Sequence, residues 1–291
     1  MSLAGLGLVS AEQVVVDYLD GKVEVQTKAN SWKTIDIGST LDSDSTLRIT
    51  EGGLAELRAG TLKIHLSKDG TYQLAKTLAG AKQKPDSKVL GLNDTQIAIL
   101  LGTKSHVGVN VANMGARGAA KGDDEGLSWA GDDQGTAAQD PLDVIRFQMD
   151  AKDWKAALET TNKALEARSA NLKDLLFDKA LILSNLGLAA GSIKALRDGD
   201  FQVNDPQYFS AALLVGSQGL ETEDYDLVLS KTAQAVQSNP ETGVKQTLLL
   251  SQALAWKGKG DVAKSKSVLN DVVSLAPQSA TGKEASRLLE D

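Results

Sequence analysis

Cysteine is absent from the 291-residue chain, which excludes disulfide staples, thiol nucleophiles and Cys-ligated zinc. Histidine is almost absent: His65 and His106 are the only two. Neither has converging partners at ligand spacing, so no metal or acid–base centre is indicated. His65 lies between Ile64 and Leu66 in a strand-like run and is expected to face solvent. No Lys/Arg run offsets the net charge of −7 and pI near 5.0, which argues against a nucleic-acid or anionic-membrane binder. No stretch of about 20 apolar residues exists to span a bilayer. Gly115-Ala116-Arg117-Gly118 lacks the Lys-Ser/Thr pair of a phosphate loop, and no Gly-x-Ser-x-Gly elbow occurs. No cofactor, metal or catalytic residue is therefore assigned, and the chain reads as non-enzymatic.

What is present is a repeat. In the C-terminal half a helix-like stretch meets a short turn and a second amphipathic stretch follows, four times over. The turn positions Lys152, Gly187, Glu223 and Gly260 fall 35, 36 and 37 residues apart, the period of a stacked helical solenoid. Such arrays mostly display a surface for another molecule. With 42% hydrophobic and 24% charged residues, the chain is long enough for two domains with their own cores.

Residues 12–74 read as strands. Apolar residues alternate at Val14/Val16, Val23/Val25, Ile35/Ile37, Leu47/Ile49, Ala55/Leu57, Leu62/Ile64/Leu66 and Tyr72/Leu74. Asp20-Gly21, Ala29-Asn30-Ser31, Asp42-Ser43-Asp44, Gly52-Gly53 and Asp69-Gly70 punctuate them as turns, which predicts an all-β sandwich or roll. The order Gly21-x-Val23-x-Val25, Trp32, Gly38-x-x-Leu41, Leu47 to Thr50 and Gly53-x-Ala55-x-Leu57 resembles a FecR-type domain, a β-rich module of bacterial periplasmic and envelope proteins. The resemblance implies the fold and an envelope location. The signalling role of the best-known member is not carried over, because no transmembrane or anti-sigma segment lies beside the module.

The apolar run Leu3 to Val9 followed by Val9-Ser10-Ala11 resembles the tail of a secretory signal peptide, so export is expected; residues 1–11 read as its remnant or as an expression scar. Thr95 to Leu101 reads as a short helix and Val107, Val109 and Val111 as a late strand, extending the β-domain over 12–113. Residues 114–140, rich in Gly, Ala and Asp, read as a linker. Its clusters Asp123-Asp124-Glu125 and Asp132-Asp133 have the charge that attracts calcium but not the loop spacing, so a solvated segment is favoured.

Residues 141–291 resemble tetratricopeptide (TPR) repeats. In the fourth unit Leu249, Ala253 and Trp256 precede the Gly260-Asp261 turn, and Ser265, Leu269, Val272 and Pro277 follow. The small residues let antiparallel helices approach. The second unit is the weakest, with Gly187-Leu188 at its turn and a short second helix ending near Arg197. Thr281 to Leu289 reads as a capping helix. The resemblance implies a groove lined by the first helices, at Leu142, Arg146, Phe177, Leu181, Leu213, Ser217, Leu250 and Leu254. Only Arg146 is basic there, so a carboxylate clamp is not expected. An apolar face of this kind holds a hydrophobic peptide or helix, packs on the linker or β-domain of the same chain, or is ordinary core. The expected architecture is multi-domain α+β: an all-β sandwich or roll, then a solenoid of about four helix pairs. The expected role is a protein–protein interaction scaffold or adaptor of the bacterial envelope with a protein or peptide partner. The alternative is a glycan or small-molecule sensor using the β-domain, whose only aromatics would be Tyr18, Trp32 and Tyr72.

Overall fold

The computed structural model describes residues 13–83, 140–168 and 171–290. The expected two-part layout is present: a six-stranded antiparallel sheet with one helix directly after it, then a C-terminal run of nine helices among the described residues. The strands are β1 (Gln13–Lys28), β2 (Ser31–Thr34), β3 (Thr40–Asp42), β4 (Thr46–Ala59), β5 (Leu62–Leu66) and β6 (Gly70–Gln73). Their order is β2-β1-β4-β5, with β3 also beside β1 and β6 beside β4.

Two of the turns read from sequence are not turns. Asp20-Gly21 lies inside β1 and Gly52-Gly53 inside β4, and the two sites face each other. Asp20 pairs with Leu54 and Lys22 with Thr50, with a register shift between them. A Cβ on Gly21, at φ +70°, would stand 2.9 Å from Gly53 Cα. Glycine is needed there both for the left-handed backbone and for the close approach of two main chains. The kink divides the ladder. The first half of β1 and second half of β4 pair with β3 and β5, whereas the remaining halves pair with β2 and β6. Val14, Val16, Leu57 and Ile64 from one half share a core with Val23, Leu47 and Ile49 from the other. Leu74 and Leu78 of helix α1 (Leu74–Gln83) join that core; sequence alternation carries a strand as far as Leu74, where the helix instead begins.

A second register shift falls between Val16 and Tyr18. Strict alternation would put Val14, Val16 and Tyr18 on one face. The extra residue, Asp17, turns Tyr18 to the outer face opposite Glu56.

The helices form antiparallel pairs: α2 (Pro141–Asp150) with α3 (Trp154–Glu166), α4 (Leu172–Asn185) with α5 (Ala189–Gly199), α6 (Tyr208–Glu221) with α7 (Tyr225–Gln237), and α8 (Thr242–Gly258) with α9 (Val262–Leu275). Every first helix ends alike. Lys152, Gly187, Glu223 and Gly260 adopt φ of 58°, 71°, 57° and 81°. The following amides, of Asp153, Leu188, Asp224 and Asp261, donate back to Gln148, Leu183, Gly219 and Trp256 carbonyls at 2.8–2.9 Å. This is the Schellman closure, in which a left-handed residue satisfies the last carbonyls of a helix. Helix α10 (Ala280–Glu290) covers the last pair with Ala285 and Leu288, where a capping helix is expected. The expected helix at 95–101, the strand at 107–111, His106 and the linker as far as residue 139, with its acidic clusters, lie outside the described residues, as do residues 1–12.

Candidate interdomain site

The pairing of β1, β4 and β5 places Tyr18, Glu56 and His65 in one cross-strand row, with Asp20 beside Leu54 and Arg58 beside Lys63. This outer face meets helices α4 and α5. Tyr18 and Leu54 pack with Leu183 and Ala190, with Leu158 and Leu188 at the margin. The contact buries Glu56, which is 3% exposed.

The position of Glu56 follows from what the second repeat lacks. The second helices of the other three pairs carry an N-cap aspartate. Asp153, Asp224 and Asp261 accept from the amides of Ala156, Leu227 and Lys264 at 3.2, 3.3 and 3.1 Å. Each bond goes to the third helical residue and satisfies one of the amides a helix start leaves unpaired. In α5 the N-cap is Leu188, which has no capping side chain. The equivalent amide, Gly191 N–H, donates instead to Glu56 Oε1 at 2.8 Å. The β-domain supplies the cap. A negative group at a helix start is further favoured by the backbone dipoles. The other oxygen, Oε2, lies 3.1 Å from His65 Nδ1; a carboxylate only accepts, so that nitrogen is the donor.

Charge pairs flank the cap. Asp20 receives Lys179 at 3.5 Å and Lys194 at 3.6 Å, from α4 and α5 respectively. The Tyr18 hydroxyl donates to Asp20 at 3.4 Å. Burial, reinforced by the Asp20 charge, raises the Tyr18 phenol far above its ordinary range. Burial works against the Lys194 ammonium, but Asp198 and Asp20 together raise it. Lys63 Nζ donates to the Gly187 carbonyl at 3.0 Å.

Among the described residues, two clefts border this contact. The larger, about 680 Å³, runs between the outer sheet face, helix α3 and the α4–α5 turn, from Val15 and Ile37 to Leu158 and Leu188. The smaller, about 330 Å³, is lined by Gly53, Leu54, Ile193 and Asp224 among others. His65 borders both. Among the described residues no group of three or more His, Cys, Asp or Glu side chains is placed to hold a metal ion.

The residues expected to line a groove divide unequally. Leu142, Phe177, Leu213, Ser217, Leu250 and Leu254 are buried, Leu250 completely. Phe177 packs edge-on against Phe201, with ring centres 5.9 Å apart. Leu181 is half-buried against the same core, and Arg146 is exposed. The apolar character of most of these positions is thus accounted for by packing. Arg146 stands 3.9 Å from Asp178, a buried carboxylate that the sequence reading passed over and whose Oδ2 makes no hydrogen bond. Burial pushes its carboxyl up to about 6 against the pull of Arg146, and Asp174 adds to the rise. His65 is corrected: alternation does put it on the outer face, but that face is docked, and its side chain is only 19% exposed. Glu56 was also missed; its signal is indirect, the missing aspartate at Leu188. No family model, curated protein or solved structure matches the chain.

Proposed function

We propose that this protein is a non-enzymatic scaffold or adaptor of the bacterial cell envelope, in which a β-module and a helical solenoid present one fixed composite surface to a protein partner. The observation that carries the reading is the Glu56–Gly191 cap, which ties the orientation of the sheet to the folding of a repeat. Stacked helix pairs offer extended surface rather than chemistry. The envelope assignment rests on the FecR-like order of motifs between Tyr18 and Leu57 and on the N-terminal apolar run. On the solenoid, Arg146 and Leu181 are the accessible members of the expected groove, and Phe147, next to Arg146 in α2, is 74% exposed. The test is affinity purification of the tagged chain from its own envelope fraction, with Phe147→Asp and Arg146→Glu compared at equal fold content. A stoichiometric partner lost from these variants supports the reading. A chain that retains no stoichiometric partner overturns it.

Sensing of a small molecule by the β-module is the second reading, favoured by the 680 Å³ cleft. An aromatic platform for a glycan is not what that cleft offers. Of the three aromatics, only Tyr18 borders it, and Trp32 is covered by the Arg48 guanidinium at 4.4 Å.

A further inference from the structure

The larger cleft has the size of ordinary small-molecule sites, which run from about 300 to 1,000 Å³. Its walls leave apolar surface wet. Ile37 is 57% exposed at its border, and Val15, Leu158, Leu186 and Leu188 are each only partly buried. One of these five is exposed and four are partly buried, and together they give the concavity an apolar wall on which an apolar group could lie.

The polar groups narrow the occupant. Every carboxylate on the lining is already engaged. Asp17 takes both guanidinium bonds of Arg58 at 2.9 and 3.0 Å, Glu56 holds His65 and the α5 amide, and Glu159 takes Lys163 at 2.9 Å. Of the cations, Arg58 is spent on Asp17 and Lys63 bonds the Gly187 carbonyl. Lys155 has no ion pair among the described residues, and Asn162 makes no side-chain hydrogen bond among them. Lys155, Leu158 and Asn162 follow each other at three- and four-residue spacing on α3, which puts them in one stripe. That stripe offers a cation, an apolar contact and an amide in line.

We infer that the cleft binds a monoanionic amphiphile, an unbranched acyl chain ending in a carboxylate, with the chain on the Ile37–Leu158–Leu188 surface and the carboxylate toward Lys155. The inference rests on the ligand-sensing reading for its biological use, but not for its chemistry. The experiment is calorimetric titration of the full chain with dodecanoate below its micelle concentration, with acetate and dodecyltrimethylammonium as controls. One-to-one saturable binding of dodecanoate and none of acetate is expected. Lys155→Glu weakens dodecanoate at least about tenfold, since attraction becomes repulsion, while leaving the cationic amphiphile no weaker. Ile37→Asp, at an exposed position, weakens dodecanoate binding through lost apolar contact and added repulsion. Absence of saturable dodecanoate binding overturns the inference, and so does equal binding of both amphiphiles that Lys155→Glu leaves unchanged. Hydrogen exchange at Gly191 in the same titration separates the two ideas: binding that leaves this exchange unaltered keeps the site and removes the sensing relay.

Discussion

If Glu56 caps α5 from outside the solenoid, its removal should be felt as a lost helix cap and as an opened interface. An N-cap side chain is worth about 0.5–2 kcal/mol, and a hydrogen bond to an ionised group about 1.5–3 kcal/mol. These overlap for the Gly191 amide, and the His65 N–H left unpaired in a half-buried place adds about 1 kcal/mol. Glu56→Ala is therefore expected to lower the unfolding free energy by about 2–4 kcal/mol. Glu56→Gln keeps a neutral acceptor of the same reach and should lose about 1 kcal/mol. The decisive arm is Leu188→Asp, which installs the cap that the other three second helices carry. In the native background it brings a second carboxylate to an occupied amide beside Glu56 and removes apolar contact with the Tyr18 cluster, so it should destabilise. In the Glu56→Ala background the same change meets a free amide and should recover about 1 kcal/mol. Urea unfolding followed by circular dichroism gives the cycle, and hydrogen exchange at the Gly191 amide localises it. The reasoning is refuted if Glu56→Ala changes stability by less than about 0.5 kcal/mol, or if Leu188→Asp costs the same in both backgrounds.

Gly191→Ala would ordinarily help a helix, but its Cβ would stand 2.8 Å from Tyr18 Cε1, so a loss of about 1–3 kcal/mol is expected. Gly80→Ala in α1, with nothing within 4 Å of the added carbon, should gain about 0.5–1 kcal/mol and serves as the control in the same urea series. For Asp178, the folded carboxyl at about 6 lies above its ordinary 3.8, so the native state binds the proton more tightly than the unfolded chain. Stability from this group is therefore fully present below pH 3.8 and is lost as pH rises to about 6, on the order of 3 kcal/mol in all. Asp178→Asn should flatten that slope and stabilise the protein at about pH 7.5 relative to about pH 4; an unchanged slope removes Asp178 as its cause.

The helical half was legible because its punctuation is local. A left-handed residue and an aspartate recur at fixed offsets, and Lys152, Glu223 and Gly260 each precede the aspartate that caps the next helix. The β-domain was legible in its alternation but not in its connections. Asp-Gly and Gly-Gly are hairpin signals when only neighbours are considered. That they instead mark a kink, where Gly21 meets Gly53, depends on a pairing between distant segments. The groove residues show the converse limit. Leu213 and Leu250 sit at positions where the repeat resemblance implies an exposed groove, but apolar periodicity is the same for a residue that packs inward and one that awaits a partner. Glu56 was illegible for a similar reason, since its amide partner is 135 residues away.

The weakness of the second repeat as a repeat is explained by the β-domain. Glu56 needs an unoccupied amide at a helix start. Asp153, Asp224 and Asp261 fill that amide in their own helices, so an outside carboxylate would meet both an occupied donor and a like charge. Only α5, among the four second helices, offers the donor free. Two of its departures serve the contact, and its turn glycine, matched by Gly260 in the fourth pair, adds a further bond. Leu188 replaces the capping aspartate and packs on the Tyr18 cluster. Gly191 admits the Tyr18 ring where any side chain would collide. Gly187 presents its carbonyl to Lys63, and a Cβ there would stand 3.0 Å from that ammonium. The aspartates of the other turns reject the docking and these three residues accept it, which is how specificity is built by exclusion as well as by attraction. The second repeat's degeneracy is therefore the address at which the β-domain attaches.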